Sequence, residues 1–374
     1  MPDIYTKVRI CKIMQRKTWE LTEKNFGPLW PFIINDAVTD IDWDCDSLWL
    51  KYADGRIVPA GIDLDLAFVS NFAKYVANHE SKAFNDTNNT LTAETDTLRI
   101  TIVHESFSTS GICFSIRKSL PKLRFTATEA LENQYCPKEA LAFLVNSVKA
   151  LMNFAFCGEP GAGKTECAKF CSSFIPAHEK VITIEDVLEW HYNEIAPEKR
   201  CIELKVDKED DYTTAIKTAL RLNPHWVMLS EARSREVRYL LETWSTGVRG
   251  MTTLHTNDVR NIPDRIVNMF QSREEESSLI NNVYMFLNIG VLIAESIADN
   301  GKKTRRIKQI CFYYRENGLN KHHMIMDNFE LCKEPIPESI LKLYEKKGIR
   351  DVFDTTILDK RLLEDIKFLR ENGR

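Results

Sequence analysis

The sequence predicts an α/β chain in which a parallel-sheet domain follows a smaller α+β domain. Three observations carry this prediction. Between residues 153 and 254, short apolar runs alternate with helical segments, the pattern of parallel strands joined by helical crossovers. Inside that stretch, one apolar run leads straight into a glycine-rich turn and then a helix. Ahead of it, to about residue 120, strand-like runs alternate with turn residues around one helical pattern.

The elements follow in order. Trp43 to Tyr52 is strand-like and ends at the turn Asp54-Gly55. Leu64 to Ala77 has the apolar spacing of a helix, and Asn85 to Asn89 is a polar loop. Leu98 to His104 and Ile112 to Ile116 are strands joined by a turn at Ser108 to Gly111. Lys118 to Phe125, which holds Pro121, is the linker that closes an α+β domain of residues 1–122. Helices are expected at Thr128–Asn133 and Pro137–Met152, then at Thr165–Phe174, Tyr212–Leu222 and Glu236–Ser245. The strands between them are Asn153–Cys157, Val181–Ile184, Trp226–Leu229 and Met251–Leu254. Asn282–Ile297, Thr304–Tyr314 and His322–Met326 are expected as antiparallel strands that complete a domain of residues 123–326. Residues 327–374 are expected as a charged, helical C-terminal tail.

Composition narrows the class. The chain has 374 residues, a formal net charge of -4, 44% hydrophobic and 28% charged residues, a globular balance. That charge does not support a wholly basic nucleic-acid surface and leaves room for a local basic patch, so nucleic acid stays open as a partner. No run reaches about 18 uncharged apolar residues, so no transmembrane helix is expected. MPDIYTKVRI lacks the apolar core of a signal peptide. The ten cysteines contain no C-x-x-C pair and read as reduced packing residues rather than a zinc site or disulfide framework. Trp19, Trp30, Trp43 and Trp49 read as core or interface anchors. Arg273–Glu276 reads as a solvated loop, and Lys302–Arg306 as a charged hairpin turn.

The chemistry begins at Gly158-Glu159-Pro160-Gly161-Ala162-Gly163-Lys164-Thr165, a match to G-x-x-x-x-G-K-[ST] in the required strand–turn–helix context. Glycines let successive N–H groups converge on phosphate oxygens, and the helix N-terminus adds its positive end. Lys164 brings a full charge to the β- and γ-phosphates, and Thr165 offers a hydroxyl to Mg²⁺. Three segments follow. Val181–Trp190 ends a strand in Glu185-Asp186, with Glu189 beyond, at the edge where α/β sheets bind ligands. Trp226–Arg233 puts four apolar residues ahead of Glu231, which can hold Mg²⁺ or act as a base. Arg233 is positioned to pair with a phosphate or a neighbouring carboxylate. Thr246–Thr256 runs from a glycine-flanked turn into a strand that ends at His255.

These four segments, in this order, resemble the type II/type IV secretion ATPase superfamily and, within it, the VirB11/CpaF group of conjugation and Tad-pilus ATPases. The corresponding motifs here are GEPGAGKT, IEDVLE, LSEAR and TGVRGMTTLHT. The N-terminal stretches DIDWDCDSLWLKYADGRIV and LRITIVHESFSTSGICFSIRKS extend the resemblance to roughly residues 36–315. The tetracysteine of the type II secretion branch is absent from the sequence.

The resemblance implies a RecA-like P-loop NTPase domain that hydrolyses ATP with Mg²⁺ in a homohexameric ring. It implies Glu231, Glu189 and His255 as catalytic residues. Residues 158–165, Glu166, Arg117, Arg99 and Arg221 would bind nucleotide, and Thr165, Glu231 and Glu185 would hold the metal. It also implies a cytoplasmic protein, peripheral at the membrane, working on an inner-membrane platform or secretion channel in pilus assembly, protein secretion or DNA transfer. Glu166, Ser230 and Val248 depart from the family pattern, which has Thr or Ser, Gly and His at these places. The extra charge of Glu166 points to slow turnover. Two other classes compete: a helicase-like motor stimulated by nucleic acid, and a nucleotide-binding switch with little turnover.

Overall fold

The computed structural model describes residues 19–206, 211–234, 236–269, 276–297, 303–359 and 362. The chain divides into two compact units, Met1–Leu120 and Pro121–Arg374. The N-terminal decapeptide, the expected loop at 273–275 and the far end of the expected C-terminal helix lie outside the described residues.

The first unit is a six-stranded sheet with a helix packed on it. Its strands are β1 (Val38–Trp43), β2 (Leu48–Tyr52), β3 (Ile57–Pro59), β4 (Thr90–Glu94), β5 (Leu98–Val103) and β6 (Cys113–Lys118). They lie in the order β3-β2-β1-β6-β5-β4, antiparallel throughout. Leu98, Ile100 and Ile102 alternate with more exposed residues along β5, as a sheet with one buried face requires. Helix α1 (Leu66–Glu80) lays Val69, Phe72, Ala73, Val76 and Ala77 on that face, a helical stripe of spacing three and four. The Asp65 carboxylate accepts the Ala67 N–H and starts the helix. Trp19 and Trp43 enter this core. Trp49 stays partly exposed, and its indole donates to Asp44 Oδ2 at 3.0 Å.

The second unit is a nine-stranded sheet covered on both faces. Its strands are β7 (Phe154–Cys157), β8 (Lys180–Glu185), β9 (Arg200–Lys205), β10 (Trp226–Leu229), β11 (Arg249–Leu254), β12 (Ile289–Ile297), β13 (Lys303–Glu316), β14 (Leu319–Asp327) and β15 (Glu330–Leu331). The order is β15-β14-β13-β12-β7-β11-β10-β8-β9. From β12 to β9 neighbours are parallel, and β13 to β15 add an antiparallel flank. Phe154 and Phe156 point into one core layer, with α2 (Lys138–Lys149) and α3 (Lys164–Ser172). Ala155 and Cys157 point into the other, with α4 (Asp211–Arg221), α5 (Glu236–Ser245) and α6 (Glu276–Phe286). Strands β7 and β10 are buried at every position, which is why they read as continuous apolar runs. This is the RecA-like P-loop architecture, preceded by a smaller α+β unit.

Some elements differ from expectation. Residues 282–286 are helical, the end of α6, and β12 begins only at Ile289. Asn153 marks the change: its amide donates to the Phe286 carbonyl at 2.7 Å, and its N–H donates to Asn288 Oδ1 at 2.9 Å. These bonds satisfy the exposed end of the helix and fix the start of the next strand. Strand β12 also pairs parallel with β7 on its other side, so only the β12–β13–β14–β15 pairs are antiparallel. Strand β9 was not apparent in RCIELK, because it is a partly exposed edge whose apolar residues are few. After β15, helix α7 (Glu338–Glu345) packs on the α2 face. Tyr344, Val352 and Leu358 are buried there.

Among the described residues no helix is long and apolar enough to cross a membrane. The described cysteines are all free.

Candidate active site

The phosphate-loop motif spans the C-terminal end of β7 and the start of α3. Gly158, Gly161 and Gly163 take φ values of 145°, 77° and 95°, backbone that side chains other than glycine's disfavour. At Gly158 space is also decisive. A Cβ there would stand 2.3 Å from the Ile293 carbonyl oxygen of β12. The loop can therefore curl tightly enough to present its N–H groups to one point.

Lys164 is the first residue of α3, and only 8% of it is exposed. Its ammonium donates to the carbonyls of Gly158 and Glu159, both at 3.1 Å. Burial lowers its pKa, and the negative charge of Glu231 opposes that shift. Beside it, the Thr165 hydroxyl donates to Glu189 Oε2 at 2.9 Å.

Parallel strands β10 and β8, beyond β11, deliver the acidic residues at the same edge. Glu185 ends β8 and is 2% exposed. Its Oε1 accepts the N–H groups of Glu189 at 3.1 Å and Trp190 at 3.0 Å. Its buried Oε2 accepts no hydrogen bond among the described residues. Burial pushes the pKa of this carboxyl up to about 8, against the two N–H groups that favour the anion.

Glu231 follows β10 and is held at both oxygens. Oε1 lies 3.0 Å from His255 Nε2, and Oε2 lies 2.8 Å from Arg233 Nη2. The other arm of Arg233 reaches Asp186 Oδ2 at 2.8 Å, so it pairs with carboxylates on two strand ends. His255 comes just after β11, and its Nδ1 lies 3.3 Å from Lys164 Nζ. A neutral imidazole with its proton on Nε2 suits both contacts: it accepts from Lys164 and donates to Glu231. A continuous chain of contacts thus runs Lys164–His255–Glu231–Arg233–Asp186.

The three departures from the family pattern each have a local setting. Glu166 Oε1 lies 3.5 Å from Arg124 Nε and 3.3 Å from Lys169 Nζ. Its charge is therefore balanced within the protein. Phe125, next to Arg124, stacks on Phe170 of the same helix. The Ser230 N–H donates to Ile184 O at 3.1 Å, and its carbonyl accepts the Thr253 hydroxyl at 2.7 Å. This ties three strand ends together. Val248 packs against the second core layer.

Arg221 is not brought to this cluster. It is exposed in the last turn of α4 and leads into the N-terminal end of β10. The phosphate loop, Glu185, Glu231 and His255 lie at the opposite, C-terminal ends of the parallel strands. Arg99 and Arg117 lie in the first unit, paired across β5 and β6. Arg117 Nε also bonds Asp40 Oδ1 on β1 at 3.0 Å. The strand registers extend this into a row Lys51–Asp40–Arg117–Arg99–Glu94. Its signs alternate except at the arginine pair.

Two residues near the loop went unnoticed in the sequence. Arg124 was absorbed into the linker. Arg305 was absorbed into the charged run KKTRR, yet its Cδ would stand 3.5 Å from a Cβ placed on Gly163. Sequence periodicity gave no signal for either.

Comparison with known proteins agrees with the fold. A family model described as type II/IV secretion system protein matches residues 76–325, more than half of the chain. An uncharacterized protein of Bacillus anthracis is 26% identical over 278 residues, which cover 72% of this chain and 63% of that protein. The type IV secretion system protein VirB11 of Bartonella quintana is 28% identical over 135 residues, 34% of this chain and 37% of that protein. The chain thus spans less than two thirds of the length of both relatives. The crystal structure of the Yersinia pseudotuberculosis ATPase DotB has the same fold. It superposes with a TM-score of 0.60 at 13% identity, over 79% of this chain and 80% of that one.

Proposed function

The chain belongs to the type II/IV secretion system protein family, and from that premise we propose that it hydrolyses ATP to ADP and phosphate at the loop Gly158–Thr165. The observation that carries this reading is the contact chain Lys164–His255–Glu231. It joins three separate sequence motifs at the mouth of one phosphate loop.

The loop N–H groups and the N-terminus of α3 receive the phosphates. Lys164 turns from the loop carbonyls to the β- and γ-phosphates. The Thr165 hydroxyl beside the Glu189 carboxylate offers oxygen donors of the kind Mg²⁺ takes. Thr165, Glu185 and Glu231 would hold it directly or through water, and the ion would neutralise phosphate charge. Water attacks the γ-phosphorus, the bond to the β-bridging oxygen breaks, and ADP leaves. Glu231 accepts the proton from that water, and Glu189 helps orient it. His255 couples the two ends: when Lys164 moves to phosphate, His255 loses its donor and its hold on Glu231 changes. Glu166 does not repel the nucleotide, because Arg124 and Lys169 balance it.

The working assembly in this reading is a homohexameric ring on the cytoplasmic side of a membrane. It transmits domain motion to a platform or channel protein of a type IV secretion, conjugation or Tad-pilus machine.

The test is steady-state ATP hydrolysis by the wild type beside K164A and E231Q, with assembly size recorded in each nucleotide. Turnover by the wild type that falls to background in both variants, with a ring formed on ATP, supports the proposal. Undiminished turnover in E231Q would overturn the catalytic assignment. Full activity from a strict monomer would overturn the ring.

A further inference from the structure

The ladder between β12 and β13 outruns the strand that carries the phosphate loop. Pairing of β12 with β7 ends at Leu292–Cys157, whereas pairing of β12 with β13 continues to Ile297–Lys303. The overrunning residues flank the loop. At their base the Ile293 carbonyl sits against Gly158 so closely that no Cβ fits between them.

Arg305 lies on this overrun, opposite Glu295. Its neighbour Arg306 is engaged elsewhere. Arg306 Nε donates to the Gln134 carbonyl at 2.7 Å, and its guanidinium covers the Phe329 ring at 5.0 Å. Successive strand residues point to opposite faces, and Arg305 points to the loop. Its Cδ would stand 3.5 Å from a Cβ at Gly163, the residue that caps the N-terminus of α3. The guanidinium begins one bond beyond that atom, and the residue is only partly exposed.

The geometry points to Arg305 as a second cation of the phosphate site, contacting the α- and β-phosphates of a nucleotide bound to the same chain. The inference rests on reading Gly158–Thr165 as a phosphate loop, and it adds a residue outside the four motifs. Gly163 stands at the end of the loop, where backbone N–H groups cradle the α- and β-phosphates. A guanidinium there can donate two parallel hydrogen bonds to phosphate oxygens, which an ammonium cannot do as a fixed pair. Lys164 serves the γ-phosphate side and Arg305 the opposite side. Arg305 therefore strengthens ATP and ADP binding alike and does not distinguish them.

The experiment is equilibrium titration of the full chain with fluorescent analogues of ATP and ADP. The variants are R305Q, R305K, R306Q and K164A, each checked for wild-type thermal unfolding. R305Q keeps much of the stem that packs on Gly163. The expected result is about a tenfold or greater loss of affinity for both nucleotides in R305Q, the loss of one charge-assisted contact. R305K recovers part of it and R306Q matches the wild type. Wild-type affinity in R305Q, with binding lost in K164A, would overturn the role of Arg305 and leave the phosphate loop intact. Equal losses in R305Q and R306Q would also overturn it, by assigning the effect to the charge of the hairpin as a whole. A wild type that binds neither nucleotide would overturn the reading of the loop itself.

Discussion

His255 Nδ1 and Lys164 Nζ stand 3.3 Å apart although 91 positions separate them in the chain. The contact exists because β11 and β7 are parallel neighbours, and each delivers its next residues to the same sheet edge. It makes the imidazole the link between the phosphate loop and Glu231.

Replacing His255 by alanine should therefore separate binding from turnover. ATP hydrolysis is expected to fall about 100-fold, the scale seen when one oriented polar group is removed from a reacting site. ADP affinity should change by less than about threefold, because the loop and Lys164 remain. Parallel ADP titration and steady-state hydrolysis check both halves.

Glu185 sets a pH dependence of stability. Its folded pKa, about 8, lies above that of an unfolded glutamate, so the folded state holds the proton more tightly. Between roughly pH 4.5 and 8 the unfolded state carries fewer protons, and stability from this group falls as pH rises. E185Q keeps an oxygen to accept the N–H groups of Glu189 and Trp190 but has no charge to bury. Its melting temperature should exceed that of the wild type at pH 8.5, and the gap should narrow toward pH 5. Calorimetric scans across that range test the sign.

Gly158→Ala should fail for two reasons at once. The backbone φ of 145° is unfavourable to alanine, and the new methyl would meet the Ile293 carbonyl at 2.3 Å. A backbone atom cannot swing aside as a side chain does. The expected cost is about 2–4 kcal/mol of stability, from overpacking plus strain, together with loss of nucleotide binding. Urea unfolding and ATP titration measure the two effects.

Glu166→Thr restores the residue type usual in the family and should nevertheless destabilise this chain. Lys169 is 0% exposed and lies 3.3 Å from the Glu166 carboxylate. Removing that carboxylate weakens the compensation of a buried charge, at a cost of about 1–3 kcal/mol. E166T/K169M should recover most of the loss. Failure of the double variant to recover any stability would sink this account.

The legible and illegible parts of the structure divide along physical lines. Parallel strands buried on both faces, such as Phe154–Cys157 and Trp226–Leu229, announce themselves as unbroken apolar runs, and Trp226–Leu229 matches its expected bounds. The glycine loop was legible because each of its positions answers a backbone demand. More polar strands were not: the residues of the edge strand β9 are mostly half exposed, and Val38–Trp43, inside its sheet, and Thr90–Glu94, at its edge, carry too many polar residues to stand out. Contacts that depend on register across the sheet were also hidden. In the sequence Arg305 looks like a surface charge and Glu166 like an unbalanced charge beside the phosphate site. Only the pairing of β12 with β13 and the packing of the linker on α3 show what they face. Arg221, a nucleotide contact only by resemblance, lies ahead of the N-terminal end of β10, whereas the phosphate loop lies at the C-terminal strand ends.

The seating of α7 has a consequence for synthesis on the ribosome. In α2, buried Asn146 donates to the Val352 carbonyl 206 positions later, and the Ser147 hydroxyl bonds Tyr344 197 positions later. Helix α2 also supports the layer that holds α3. While the chain is emerging, that layer lacks its outer cover, and two polar groups inside it lack these partners. Contacts of such separation slow folding and leave apolar surface open to association in the meantime. The ATP-binding half should therefore mature late, after residues near 358 have emerged, and nascent chains stopped near residue 330 should lean on chaperones or aggregate.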